Sequence, residues 1–115
     1  MLHVTTRIEE SRQLMTEIDI DAIHKALANP VRREILAWLK EPATHFADQL
    51  HPLSLGVCAG KIDERCGLSQ STVSGHLAIL QKAGLVTVTR LGQWNMFKRN
   101  DEVIGAFLDH INGGL

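Results

Sequence analysis

Residues 66–86 read CGLSQSTVSGHLAILQKAGLV, and the fold turns on that stretch. Ser69 is placed to cap a helix, because its hydroxyl accepts from backbone N–H groups two or three residues ahead. Behind it Val73, Leu77 and Leu80 recur at spacings of four and three, which gives the helix one apolar face. Ala83-Gly84 stops it, since glycine accepts the left-handed geometry of a C-terminal cap. Upstream, a short helix is predicted over 57–65, and Cys66, Gly67 and Leu68 turn the chain into the Ser69 helix.

With the apolar face turned inward, the other face carries Gln70, Ser71, Ser74, Gly75 and His76 near the N-terminal end. Short neutral side chains let a helix backbone sink into a major groove. Gln pairs bidentately with adenine, and Ser meets base edges or phosphates. The N-terminal end of such a helix is where base contacts concentrate, and its positive dipole end favours phosphate. Ser69, Thr72 and Lys82 join these as candidate DNA contacts. An ordinary solvated helix face is the competing reading, and it gives way once the next segment is added. Leu85 to Arg90 is a β-branched run, Leu91 to Gln93 a turn, and Trp94 to Arg99 a returning strand. That hairpin brings Arg90, Gln93, Lys98 and Arg99 onto or beside a wing suited to the phosphate backbone or the minor groove. Trp94 and Phe97 are expected to pack at its base.

Further out, Asp101 caps a last helix with Val103, Ile104, Phe107, Leu108 and Ile111 on one side. On the N-terminal side, Asn29-Pro30 starts a helix with Val31, Ile35, Trp38 and Leu39 on one face, and Glu41-Pro42 ends it. Asp19 or Asp21 caps a shorter helix before it, and residues 5–17 have the spacing of a first amphipathic helix. Residues 42–56 read as a long loop with two prolines and two histidines. The order is five helices, a hairpin and a final helix. The fold class is therefore mainly α with a small β-hairpin wing, a winged helix-turn-helix.

The chain has 115 residues, enough for one domain with a workable core, at 44% hydrophobic and 22% charged residues. Its net charge of −1 does not announce a nucleic-acid partner. The distribution does: from Cys66 to Asn100 there is no Asp or Glu, while Lys82, Arg90, Lys98 and Arg99 all fall there. No window has the apolar length of a membrane span, and the start lacks a secretory pattern, so a cytoplasmic location is expected.

Two further stretches carry a family resemblance. Residues 26–36, ALANPVRREIL, resemble the ALADPTRRRIL helix of the ArsR/SmtB repressors, and residues 66–86 resemble their helix-turn-helix signature. The wing, RLGQWNMF at 90–97, is similar too, and the likeness spans about residues 20–112. It implies a winged-helix homodimer that represses transcription from a palindromic duplex operator. On that reading 1–115 is a single domain. Residues 5–28 are its N-terminal dimerisation helices, 57–83 the helix-turn-helix, 85–99 the wing and 101–112 the C-terminal dimerisation helix. Gln70, Ser71, Ser74 and His76 would face the groove. Gly75 replaces a larger polar residue of the relatives, which implies one base contact fewer.

Many members of that family leave DNA when a metal binds or thiols oxidise. Where they carry ELCVCD or ELCVGD, this chain has GVCAGK at 56–61. Cys58 falls on the first cysteine of the motif, but Gly60 and Lys61 replace the next thiol and the acid, so a site of two or three thiolates is missing. Lys61 beside Cys58 is expected to lower its thiol pKa and favour reactivity. Cys66 takes a normally aliphatic position, which suits packing. If both thiols lay on one helix, about 12 Å of axial rise would keep them from a disulfide. His45, His51 and Cys58, with Asp48, are weak candidates for a mixed metal shell whose spacing matches no compact zinc signature. In the last helix Asp101 fits the zinc-type pattern but Val103 does not, and His110 reads as a surface residue. No cofactor is certain: a metal ion stays open, without a complete ligand set. An enzyme built on Cys58 and His51 lacks an oxyanion-donor motif, a phosphate loop and paired carboxylates. The remaining alternatives are a repressor with no small-molecule inducer, constitutive or partner-regulated, and a winged-helix protein-interaction module.

Overall fold

The computed structural model describes residues 18–114; the helix expected over 5–17 lies outside them. The first described helix, α1, is Ile20–Leu27, capped by Asp19, whose carboxylate accepts from the Ala22 N–H at 3.0 Å. Helix α2, Pro30–Lys40, starts as the sequence requires. Asn29 Oδ1 accepts from the N–H groups of Val31 and Arg32, and Pro30 fills the first position, where no N–H is needed.

Residues 42–56 are more ordered than a plain loop. They contain the one-turn helix α3, Pro42–His45, and a 3₁₀ turn at Leu53–Leu55. Phe46 is buried beneath them, and the Gln49 amide ties the segment together. Its Nε2 donates to the carbonyls of His51 and Gly56, both at 3.0 Å, and its Oε1 accepts from the Cys58 N–H at 2.8 Å.

Val57–Cys58 form a strand, β1, rather than the start of a helix. Pairing with the strand Trp94–Arg99 fixes them: Val57 lies opposite Phe97 and Cys58 opposite Met96. Helix α4, Ala59–Cys66, begins after it, so the two cysteines do not share a helix. Gly67, in the left-handed region at φ 65°, makes the tight turn. Helix α5, Gln70–Lys82, follows with Ser69 as its cap, and Val73, Leu77 and Leu80 are buried as their spacing requires.

Strand β2, Val86–Leu91, and strand β3, Trp94–Arg99, make the wing. Leu91 pairs with Trp94, so the turn is two residues, Gly92 and Gln93, and Trp94 stands at the tip rather than the base. All three strands are antiparallel in the order β1-β3-β2. Helix α6, Asp101–Asn112, is capped by Asn100, whose Oδ1 accepts from Val103 N–H at 3.3 Å, and not by Asp101. Ile104 and Phe107 reach the core, but Leu108 is 57% exposed and faces away from it.

Ile23, Ile35, Phe46, Ile62, Val73, Leu80, Leu85 and Phe97 form one continuous core. Each fully buried side chain of this size contributes about 1.5–3 kcal/mol of hydrophobic stabilisation. The core therefore holds α5 and the wing on one frame. No described helix is long and apolar enough to cross a membrane.

Candidate nucleic-acid interface

Burial of Val73, Leu77 and Leu80 leaves Gln70, Ser71, Thr72, Ser74 and Gly75 exposed along one side of α5. The Ser69 hydroxyl accepts from the Thr72 N–H at 3.2 Å and donates to Thr72 Oγ1 at 2.8 Å. Its oxygen also lies 3.3 Å from Ser71 Oγ. Three hydroxyls thus cluster at the positive end of the helix dipole, an arrangement suited to phosphate or a base edge.

A crevice of about 280 Å³ runs between α5 and the sheet. Gln70, Ser74 and Gln81 line its helix side, and Val88 and Asn95 its wing side. Asp63 of α4 also reaches it, an acid just ahead of the acid-free block. Burial pushes the Asp63 carboxyl up from the ordinary carboxylate range.

The basic residues divide into two groups. Lys82, Arg90 and Lys98 are exposed, as is Gln93 in the turn. The Arg90 side chain folds over that turn, its Nε donating to Gly92 O at 3.0 Å. Arg99 is engaged within the protein. Its side chain is only 17% exposed, its Nε donates to Asp101 Oδ1 at 2.8 Å, and one terminal nitrogen reaches the Leu36 carbonyl at 3.4 Å. The ion pair with Asp101 also occupies the acid that suited a zinc-type site.

His76 is half-buried, and its Nδ1 lies 3.1 Å from a terminal nitrogen of Arg32 on α2. That contact turns one side of the ring toward the protein. Sequence reading passed over Arg32, Gln81 and Asn95. Arg32 follows two residues after Pro30 in the ALANPVRREIL run, but its partner is 44 positions away. Asn95 alternates with inward-facing Met96 along β3, and strand periodicity alone marks it as outward-facing.

The sensing candidates are scattered. The His45 Nδ1 lies 2.9 Å from Arg65, whose guanidinium also sits over the Trp38 ring at 5.1 Å, so a cation occupies the place a metal would need. His51 packs on Trp94, with ring centroids 4.8 Å apart. Asp48 is held by Lys61 at 3.1 Å. Among the described residues, no three His, Cys, Asp or Glu side chains gather to hold a metal ion, and the donor set does not fit one. The Lys61 ammonium bonds to Asp48 and to Glu64 at 3.3 Å. Both cysteines are half-buried free thiols. Burial, reinforced by Asp63 and Glu34, pushes the Cys66 thiol up, away from the reactive thiolate.

Comparison with known proteins meets this geometry. Residues 57–88, from β1 into β2, match the model of the "Bacterial regulatory protein, arsR family". Over 91 residues, 77% of this chain and 91% of the relative, the chain is 41% identical to the HTH-type transcriptional regulator YbzH of Bacillus subtilis. It is 31% identical to the transcriptional repressor SdpR of the same organism, over 80% of this chain and 92% of the relative. It also superposes on the solution structure of a homodimeric winged helix-turn-helix DNA-binding domain from Mycobacterium bovis. That match has a TM-score of 0.53 and 20% identity, over 95% of this chain and 83% of the other. The chain belongs to the arsR family of bacterial regulatory proteins, winged helix-turn-helix transcriptional regulators rather than enzymes.

Proposed function

We propose that this regulator is a homodimeric repressor that binds palindromic duplex DNA in the cytoplasm, with α5 in the major groove and the β2–β3 wing on the flanking backbone. The observation that carries this reading is the exposed neutral face of Gln70, Ser71 and Ser74 beside a hairpin that bears only positive charge. Gln70, Ser71 and Ser74 read base edges. Ser69 and Thr72 meet phosphate at the helix N-terminus, and Lys82, Arg90, Gln93 and Lys98 follow the backbone. Arg99 is left out of this set by its bond to Asp101. The relative SdpR is named a repressor, which supports the same outcome here.

Dimerisation is supported by a largely apolar groove of about 360 Å³ between α2 and α6, lined by Leu36, Ile104 and Leu108 and also by Arg33, Lys40 and Arg99. Pairing through the last helix would cover Leu108. The homodimeric Mycobacterium bovis domain offers a precedent. Fluorescence anisotropy on duplexes selected by the protein from a random pool tests the whole reading. Specific affinity that falls steeply with salt is the expected result. A reduced protein that enriches no duplex at low ionic strength refutes it.

A second reading, release from DNA by thiol chemistry at Cys58, draws on that residue's place. Cys58 ends β1, pairs across the sheet with Met96 and abuts the first turn of α4. A bulky adduct there would press between the wing and the helix that leads into α5. Cys58→Ser should keep DNA affinity and abolish release by oxidants, arsenite or metals. Release that persists makes the cysteine structural and leaves a repressor without a thiol-directed inducer.

A further inference from the structure

The contact between α2 and α5 is more than a surface hydrogen bond, because of what else Arg32 holds. Its Nε donates to the Ala26 carbonyl at 2.7 Å, and one terminal nitrogen donates to the Lys25 carbonyl at 3.1 Å. These belong to the last turn of α1, where a positive charge is favoured; the Lys25 carbonyl also accepts from the Ala28 N–H at 3.2 Å. Arg33 adds a bond to the Leu27 carbonyl at 2.6 Å. The other terminal nitrogen of Arg32 lies 3.1 Å from His76 Nδ1, in the middle of α5. One planar guanidinium therefore joins the end of α1, the start of α2 and the centre of the helix offered to DNA.

The chemistry of this contact fixes the state of the imidazole. Guanidinium has five N–H donors and no acceptor, so a hydrogen bond at this contact requires an unprotonated Nδ1, with the ring proton on Nε2. We propose that Arg32 is a positioning residue for the recognition helix, seating α5 against the end of α1 through a neutral His76 in its Nε2–H tautomer. His76 is then a strut inside the protein and not a reader of bases. Lysine cannot replace Arg32, because a single ammonium does not reach two carbonyls and a ring nitrogen in one plane.

The proposal rests on DNA binding by α5, and its test separates the two. Nitrogen-15 shifts of the His76 ring, in the free reduced protein at neutral pH, should show Nδ1 without a proton. A proton on Nδ1 overturns the proposal without reference to DNA. Binding is then measured on a duplex that the wild type selects from a randomised pool. Arg32→Lys keeps the charge and should lose about tenfold in affinity for that duplex, the loss expected for one charge-assisted hydrogen bond. His76→Asn places an amide oxygen near the Nδ1 position and should stay within about threefold of wild type. His76→Gln loses that acceptor while keeping a donor near Nε2, and should fall with Arg32→Lys. Adding Arg32→Lys to His76→Gln should cost little more, because the two act through one contact. If His76→Asn binds as poorly as His76→Gln, the ring reads DNA directly and the strut is refuted. Wild-type affinity in Arg32→Lys refutes it too. Should Arg32→Lys not fold, the two His76 variants and the ring shifts decide the matter. A wild type that selects no duplex sinks the DNA-binding reading instead, and the ring shifts still test the contact.

Discussion

Replacing Gly56 by alanine should damage the fold more than its size suggests. Gly56 joins the 42–56 segment to β1, with φ 107° and ψ −176°, a region that residues with a side chain scarcely enter. Holding alanine there costs about 1–3 kcal/mol. The added Cβ would also lie 3.0 Å from the Phe97 carbonyl oxygen and 3.2 Å from the carbonyl carbons of Met96 and Phe97. Those atoms belong to β3, which is paired on both sides and has little room to retreat. Overpacking of that kind adds about 1–3 kcal/mol. The lower end of the sum, about 2 kcal/mol, is already a large share of the 5–15 kcal/mol by which a typical domain is stable. At about 4–8 °C per kcal/mol for a domain near 100 residues, melting should fall by roughly 8 °C or more. Urea unfolding followed by circular dichroism, with an unchanged m-value, measures the loss. Gly75→Ala is the matched control: it is helical, has nothing within 4 Å of its added methyl, and should gain about 0.5–1 kcal/mol. A loss below about 0.5 kcal/mol for Gly56→Ala would refute the reasoning, because neither strain nor crowding could then be present.

Three further outcomes follow from the interface. Gln70→Ala should cut discrimination between the selected duplex and a scrambled one by about 1–3 kcal/mol, measured by competition at fixed salt. Lys98→Ala should weaken binding to both duplexes alike and flatten the plot of log affinity against log salt by about one phosphate contact. Asp63→Asn removes an acid from the crevice beside α5 and should tighten binding to all duplexes, most at low salt. Because burial raises the Asp63 carboxyl, the folded chain holds that proton to higher pH than the unfolded chain does. Its contribution to stability is full below the unfolded value and is lost as pH rises through the folded one. Urea titrations from pH 3 to 7 should show wild type losing stability relative to Asp63→Asn as the pH rises.

Much of the fold was legible because it is written locally. Ser69 with Val73, Leu77 and Leu80, Asn29 with Pro30, and the β-branched run before Gly92 each specify an element within a few residues. The exposed face of α5 followed from the same periodicity. What escaped was set by distant partners. Val57 and Cys58 pair with β3, some forty residues further along the chain, which a local reading does not reach. His51 meets Trp94 through the fold of the 42–56 segment, and Arg32 finds His76 across two helices. Counting charges did not show that Asp101, just past the acid-free block, engages Arg99. Lys61 was read with Cys58, three residues before it, but its ammonium bonds to Glu64, three residues after it, and to the distant Asp48.

Strand β1 is only two residues long, yet it hydrogen-bonds to the middle strand of the sheet and runs directly into α4. Hairpin and helix pair are thereby welded into one jaw of fixed gape instead of two independent fingers. On the proposed reading, with α5 in a major groove, the hairpin would land at a set distance along the duplex and the DNA would do the adapting. Steps that widen or narrow a groove cheaply would be favoured beneath the hairpin even where no side chain touches a base.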